Sequence, residues 1–119
     1  AAQENSIEIV LTTFITLAHE NLEVNMSKQP YLWQDIYLKW YPFTPGEIRK
    51  IYQHFNETVI DLAKSKNIKF IDLATLYPKD SKYFVDHIHF TPEGNQRLAE
   101  LIATFLEQER LINADSSLP

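Results

Sequence analysis

No cysteine occurs in the 119 residues, which excludes a disulfide framework and thiolate metal sites but leaves the redox compartment open. Glycine is nearly as scarce, with Gly46 and Gly94 the two present. Phosphate-cradling loops need several glycines so that backbone amides can approach a ligand, so nucleotide-binding loops are excluded. Positive charge is in deficit: 11 Lys and Arg stand against 16 Asp and Glu, a net charge of −5. No basic field exists to draw in nucleic acid. No apolar run approaches the ~20 residues of a membrane span, and no charged-then-apolar leader opens the chain. The one methionine, Met26, is internal, which suggests a processed product or a fragment. What is present, 45% hydrophobic and 13% aromatic residues, suits one globular domain burying roughly two thirds of its unfolded surface.

Residues 7–14 (IEIVLTTF) are β-branched and nearly continuously apolar in their second half, the pattern of a strand covered on both faces and hence of a parallel sheet. Thr44-Pro45-Gly46-Glu47 carries a cap residue, a proline for the first helical position and a glutamate placed to bond back to the cap. The helix beginning there sets Ile48, Ile51, Tyr52, Phe55, Val59, Leu62 and Ala63 on one apolar stripe facing a sheet. Polar residues 65–67 end it. Residues 68–73 (IKFIDL) read as a second strand. Thr91-Pro92-Glu93-Gly94 starts a second capped helix with core face Leu98, Leu101, Ile102 and Phe105. Strand, helix, strand, helix is an α/β pattern with a right-handed crossover. The polar tail, residues 113–119, is expected to fray.

About thirty residues, 15–43, separate the first strand from the first helix, against two to six in an ordinary connection. They hold Trp33, Tyr37 and Trp40 at helical spacing, with Tyr31, Tyr41 and Phe43 beside them. Two readings stand: a short helix packing its rings on the body, or a substrate-contacting flap at the carboxyl end of a strand, where α/β sheets place ligands.

Chemistry concentrates in residues 83–95 (YFVDHIHFTPEGN). Asp86 and His89 lie three apart in a loop just before a helix, so one tight turn can bring the carboxylate to the imidazole Nδ1–H. Such a bond fixes the tautomer and leaves Nε2 to take a proton from a nucleophile. The same spacing also serves simply to cap a turn. His87 reads as solvent-facing, as do His19 and His54, yet Asp86, His87 and His89 could together form a two-His, one-carboxylate metal set.

Asp-x-x-His followed by Phe-Thr-Pro-Glu-Gly-Asn and an amphipathic terminal helix resembles the carboxyl-terminal end of the SGNH hydrolases, the GDSL esterase/lipase family, in order and spacing over residues 7–106. The resemblance implies a three-layer, flavodoxin-like parallel α/β sheet of which this chain supplies the last two strands and their helices, over residues 1–112. It assigns Asp86 the orienting role and His89 the general-base role in a Ser-His-Asp triad. It implies a cofactor-free serine esterase for a small-molecule ester or an acetylated carbohydrate, and tilts the expected location toward the periplasm or outside.

The departures from that family are equally definite. Its Gly-Asp-Ser nucleophile block and its oxyanion-hole Gly and Asn blocks are missing here. None of the six serines, Ser6, Ser27, Ser65, Ser81, Ser116 and Ser117, has a glycine neighbour. The nucleophile is therefore expected outside this chain, the isolated chain is expected to be nearly inactive, and the open sheet edge is expected to meet a missing amino-terminal half or a second copy. The alternative function is a non-catalytic domain holding a carbohydrate or protein through its aromatic segment; on the esterase reading, Trp33, Tyr37 and Trp40 would bind substrate. Asp72 ends the second strand near the expected catalytic edge, where it could line a site, and is expected rather to cap the turn that follows. Asn95 and Arg97 could reach a substrate or remain on the surface, Arg97 in a salt bridge. Asn25 and Asn56 match the glycosylation acceptor pattern. Met26 and the lysines on either side of Ser65 and Ser81 read as ordinary surface, and Gly46 and Gly94 as serving either close helix packing or the backbone of the first turn.

Overall fold

The computed structural model describes residues 7–18, 34 and 38–112. Within the first apolar run, Val10–Thr12 forms strand β1; within the second, Lys69–Ile71 forms β2. They pair in parallel, with Val10 opposite Lys69, Leu11 opposite Phe70 and Thr12 opposite Ile71. Both strands are shorter than the runs containing them, because beyond the ladder the chain turns to hydrogen bonds with loops. Thr13 N–H donates to Ile71 O, but Leu17 N–H already donates to His87 O in a distant loop.

Helix α1 (Pro45–Ser65) starts where its capping signals lie. Thr44 Oγ1 accepts the Glu47 N–H at 3.3 Å and Glu47 Oε2 accepts the Thr44 N–H at 2.7 Å, two otherwise orphaned donors satisfied reciprocally. At the far end Lys66 N–H donates to Leu62 O, and Asn67 adopts a left-handed φ of 52°, turning the chain into β2. The apolar stripe of α1 is only partly covered. Ile48 and Ala63 are buried, whereas Ile51, Phe55 and Leu62 stand about half exposed. The expectation that the whole stripe faces the sheet is corrected on this point, since a two-stranded sheet is too narrow to cover it.

After β2 come the single-turn helix α2 (Leu73–Leu76), a 3-10 turn (Ser81–Tyr83) and helix α3 (Pro92–Gln108). Leu98, Leu101, Ile102 and Phe105 of α3 pack on a core of Ile15, Leu17, Ile71, Leu73, Tyr77 and Phe84. A second cluster joins Ala18 and Ile48, with Tyr52 against it. Thr13 ties β1 to α2: its hydroxyl donates to Asp72 Oδ1 and accepts the Ala74 N–H. Asp72 is the residue before α2, but its carboxylate takes the Thr13 and Thr75 hydroxyls instead of a helix N–H. Asn56 clamps the residue past β1, accepting the Phe14 N–H at 2.6 Å and donating to Phe14 O at 3.0 Å. That commitment of its amide sits poorly with glycosylation there. Among the described residues no helix is long and apolar enough to cross a membrane. The tail 113–119 lies outside the described residues.

Candidate active site

The loop bearing Asp86 and His89 is closed at its base by an antiparallel bridge between Phe84 and Phe90. Those rings lie 5.3 Å apart, and both pack on Tyr77, which is buried. Aromatic residues spaced to meet across a short loop thus pin its stem in the core. Thr91 fastens the junction to α3 by donating its N–H to Tyr83 O and its hydroxyl to Lys82 O, while its side chain caps Gly94 N–H. Tyr77 Oη donates to Gly94 O at 2.9 Å. A Cβ at Gly94 would collide with Tyr83 O and lie 2.8 Å from Tyr77 Oη, whereas one at Gly46 would find nothing nearer than Thr44 Oγ1 at 4.0 Å. Close packing therefore holds for Gly94, and for Gly46 the alternative of a place in the first turn's backbone is the one that fits.

At the loop tip the two oxygens of Asp86 divide the work. Oδ1 accepts the backbone N–H groups of Ile88 at 2.9 Å and His89 at 2.7 Å; Oδ2 lies 2.7 Å from His89 Nδ1. Burial alone would push the Asp86 pKa up, but the Ile88 and His89 amides and the His89 ring together hold it well below the usual carboxylate range. The imidazole is consequently oriented with Nδ1 as donor. Its side chain is 70% exposed, so the Nε2 edge is open to approach.

His87 is a correction. It was expected to face solvent and is instead 1% exposed. Thr16 Oγ1 and Leu17 N–H both donate to its carbonyl, pulling this residue of the loop against the end of β1. Its Nε2 accepts the Trp40 Nε1–H at 3.0 Å. Of the three side chains weighed as a metal set, His87 is turned inward onto Trp40 and Asp86 is engaged by His89 and two backbone amides, and no group of three His, Asp or Glu among the described residues is arranged to hold a metal ion.

Of the aromatic trio, Trp33 and Tyr37 lie outside the described residues. Trp40 sits at the end of a helical turn, 37% exposed, edge-on to Tyr52 and to His87. Lys39 Nζ stands 3.7 Å from Asp86 Oδ2. His54 is exposed as expected, and Arg97 pairs with Glu100 at 3.1 Å, the surface option of its two.

Lys79 is a second correction. Far from ordinary surface, it is desolvated enough to lower its pKa to about 8 despite the nearby charge of Asp72, and it donates to Thr16 O. With Phe14, Tyr52, Asn56 and Arg49 it lines a cavity of about 410 Å³. His89 does not line that cavity; Tyr52 links the two regions, since its phenol, raised mainly by burial, also feels the charge of Asp86.

The sequence model of the GDSL-like lipase/acylhydrolase family matches residues 2–102. The chain belongs to that family. A comparison with curated proteins returned no match. Among solved structures, the chain is similar to a GDSL-like lipase from Bacteroides thetaiotaomicron, with a TM-score of 0.59 and 19% sequence identity over 91% of this chain. At that identity the likeness bears on the α/β fold alone. The chain spans 46% of the lipase's length, which fits a partial α/β fold with two parallel strands and their helices.

Proposed function

We propose that this chain contributes the Asp-His pair of a serine-type ester hydrolase. Asp86 orients His89, and His89 Nε2 removes the proton of a serine hydroxyl brought by another stretch of polypeptide. The observation that carries this reading is the 2.7 Å contact between Asp86 Oδ2 and His89 Nδ1, on a ring whose other edge is exposed. Asp86 stabilises the imidazolium formed in that transfer and does not itself take the proton. His89 then returns the proton to the departing alcohol, water attacks the acyl-serine with the same ring as base, and the acid leaves. Acyl or acetyl esters, among them acetylated carbohydrates, are the substrate class, with Trp40 as the described aromatic residue that would meet the alcohol portion and Trp33 and Tyr37 assigned the same role from the sequence alone.

Membership of the acylhydrolase family supports the reaction class. The half-exposed Ile9, Phe14 and Phe55 around β1 support the need for a covering polypeptide, either a missing amino-terminal half or a second copy. Residues 1–119 alone are expected to turn over little ester. The test is labelling of the intact parent protein with a serine-directed fluorophosphonate. Labelling abolished by His89→Ala and strongly slowed by Asp86→Asn is the expected result; labelling indifferent to both substitutions refutes the pair's role.

A further inference from the structure

The aromatic segment reaches the Asp86–His89 couple through two consecutive residues. Lys39 Nζ approaches Asp86 Oδ2, and Trp40 donates its indole N–H to His87 Nε2. Adjacent residues of one segment thus meet adjacent residues of the other. The two contacts differ in kind. His87 is a fixed post, buried and held through its carbonyl by Thr16 and Leu17, and the Trp40 ring is further confined by Tyr52 at 6.4 Å. Lys39, the residue before Trp40, has a long side chain that is 55% exposed. The oxygen it approaches is the one that takes His89 Nδ1–H.

We propose that Lys39 is a positioning residue for the couple: anchored through Trp40 on His87, its ammonium shares Asp86 Oδ2 with the imidazole and trims the basicity of His89. This rests on the reading of His89 as a general base. An ammonium on the shared oxygen offsets part of the carboxylate's charge and repels an imidazolium, and both effects favour the neutral ring. His89 then stays unprotonated, hence able to accept a proton, to lower pH than Asp86 alone would allow. Among the described residues, the titratable groups near the couple are Lys39 from the turn before α1, Tyr52 from α1 and His87 within the loop. The Tyr52 phenol is pushed up by burial and by Asp86 and so stays neutral. Lys39 and His89 are the cations paired with Asp86 among the described residues. For charges this exposed the effect should be about half a pH unit, roughly threefold in proton affinity.

The experiment is an NMR titration of the His89 ring in the whole protein, for the parent sequence and for Lys39→Met, Lys39→Arg and Trp40→Phe. The midpoint is expected to rise by about half a unit in Lys39→Met, to rise part of that distance in Trp40→Phe, and to stay in place in Lys39→Arg. A lysine that merely propped up the loop would give the opposite sign, because its loss would loosen Asp86 from His89 and lower the midpoint. A fall or no change in Lys39→Met overturns the proposal, and an unmoved midpoint in Trp40→Phe overturns the anchoring through His87. The titration is read without substrate, so failure of the esterase reading would appear separately, as a serine label indifferent to His89.

Discussion

Gly46 and Gly94 both lie in the first turn of a proline-initiated helix behind a threonine cap, Gly46 as its second residue and Gly94 as its third. Helix propensity alone predicts that alanine stabilises at both, by up to about 1 kcal/mol. The surroundings separate them. At Gly46 a methyl group has open space, so Gly46→Ala should gain a few tenths to about 1 kcal/mol. At Gly94 the methyl meets Tyr83 O and Tyr77 Oη, and neither can step aside cheaply. Tyr83 O accepts the Thr91 N–H, and Tyr77 is 1% exposed with its hydroxyl spent on Gly94 O. Overpacking of this kind costs about 1–3 kcal/mol, and more where backbone must move. Because a backbone carbonyl stands in the way, the upper part of that range, about 2–3 kcal/mol, applies, and subtracting a propensity gain of about 1 kcal/mol leaves a net loss of about 1–2 kcal/mol for Gly94→Ala, with a fall in Tm of about 4 °C or more. Urea denaturation of the two variants beside the parent protein reads the difference as midpoints moving in opposite directions at constant slope. A Gly94→Ala protein as stable as Gly46→Ala would refute the packing argument and the rigid loop stem built on it.

Asp86→Asn should leave the fold intact and reduce kcat for a short-chain aryl ester about 10³- to 10⁴-fold in the whole protein, since an amide cannot stabilise the imidazolium; a loss below about tenfold in that assay removes Asp86 from the mechanism. Because the Asp86 pKa is depressed on folding, the stability it contributes is fully present above its unfolded value of about 4 and is lost as pH falls below it. Urea midpoints measured from pH 5 downward should therefore drop more steeply for the parent protein than for Asp86→Asn. Lys79 gives a pH slope of the same sign but from a cost, because burial disfavours its charged form in the folded protein. With a folded pKa of about 8, the unfolded chain binds more protons between about pH 8 and 10, so this group makes stability rise with pH across that window. Lys79→Met should remove that rise and be no less stable at pH 7, checked by urea midpoints at pH 7 and 9.

The elements legible in the sequence were those whose causes are local. Thr44 to Glu47 and Thr91 to Gly94 announce helices because the capping groups lie within four residues of one another, and Asp86 reaches His89 within a single turn. His87 was misread because its burial has a distant cause. The hydroxyl of Thr16 and the amide of Leu17, some seventy positions earlier, capture its carbonyl, and nothing in residues 83–95 signals it. The available clue was Thr16 itself, a hydroxyl in an apolar run just past a strand end, which needed a partner once buried. Lys79 escaped for the same reason, since its ammonium is drawn inward by the carbonyl of that same Thr16. The exposed half of the α1 stripe was read as core because periodicity shows which residues share a face and is silent on how wide a sheet lies beneath them.

These two kinds of cause also separate the two halves of the proposed chemistry. Orienting an imidazole needs one carboxylate, two backbone amides and a pinned stem, all supplied between Tyr77 and Gly94, so a short stretch of chain can build that device by itself. Delivering a serine hydroxyl to Nε2 and placing donors for an oxyanion require groups on other strands, whose positions depend on the sheet as a whole. On the proposed function, the exposed ring of His89 and the half-exposed apolar residues around β1 would be two faces of one condition. On that same function, a polypeptide covering Phe14 and Phe55 would also bring the nucleophile, so that covering that edge and completing the triad would be a single event.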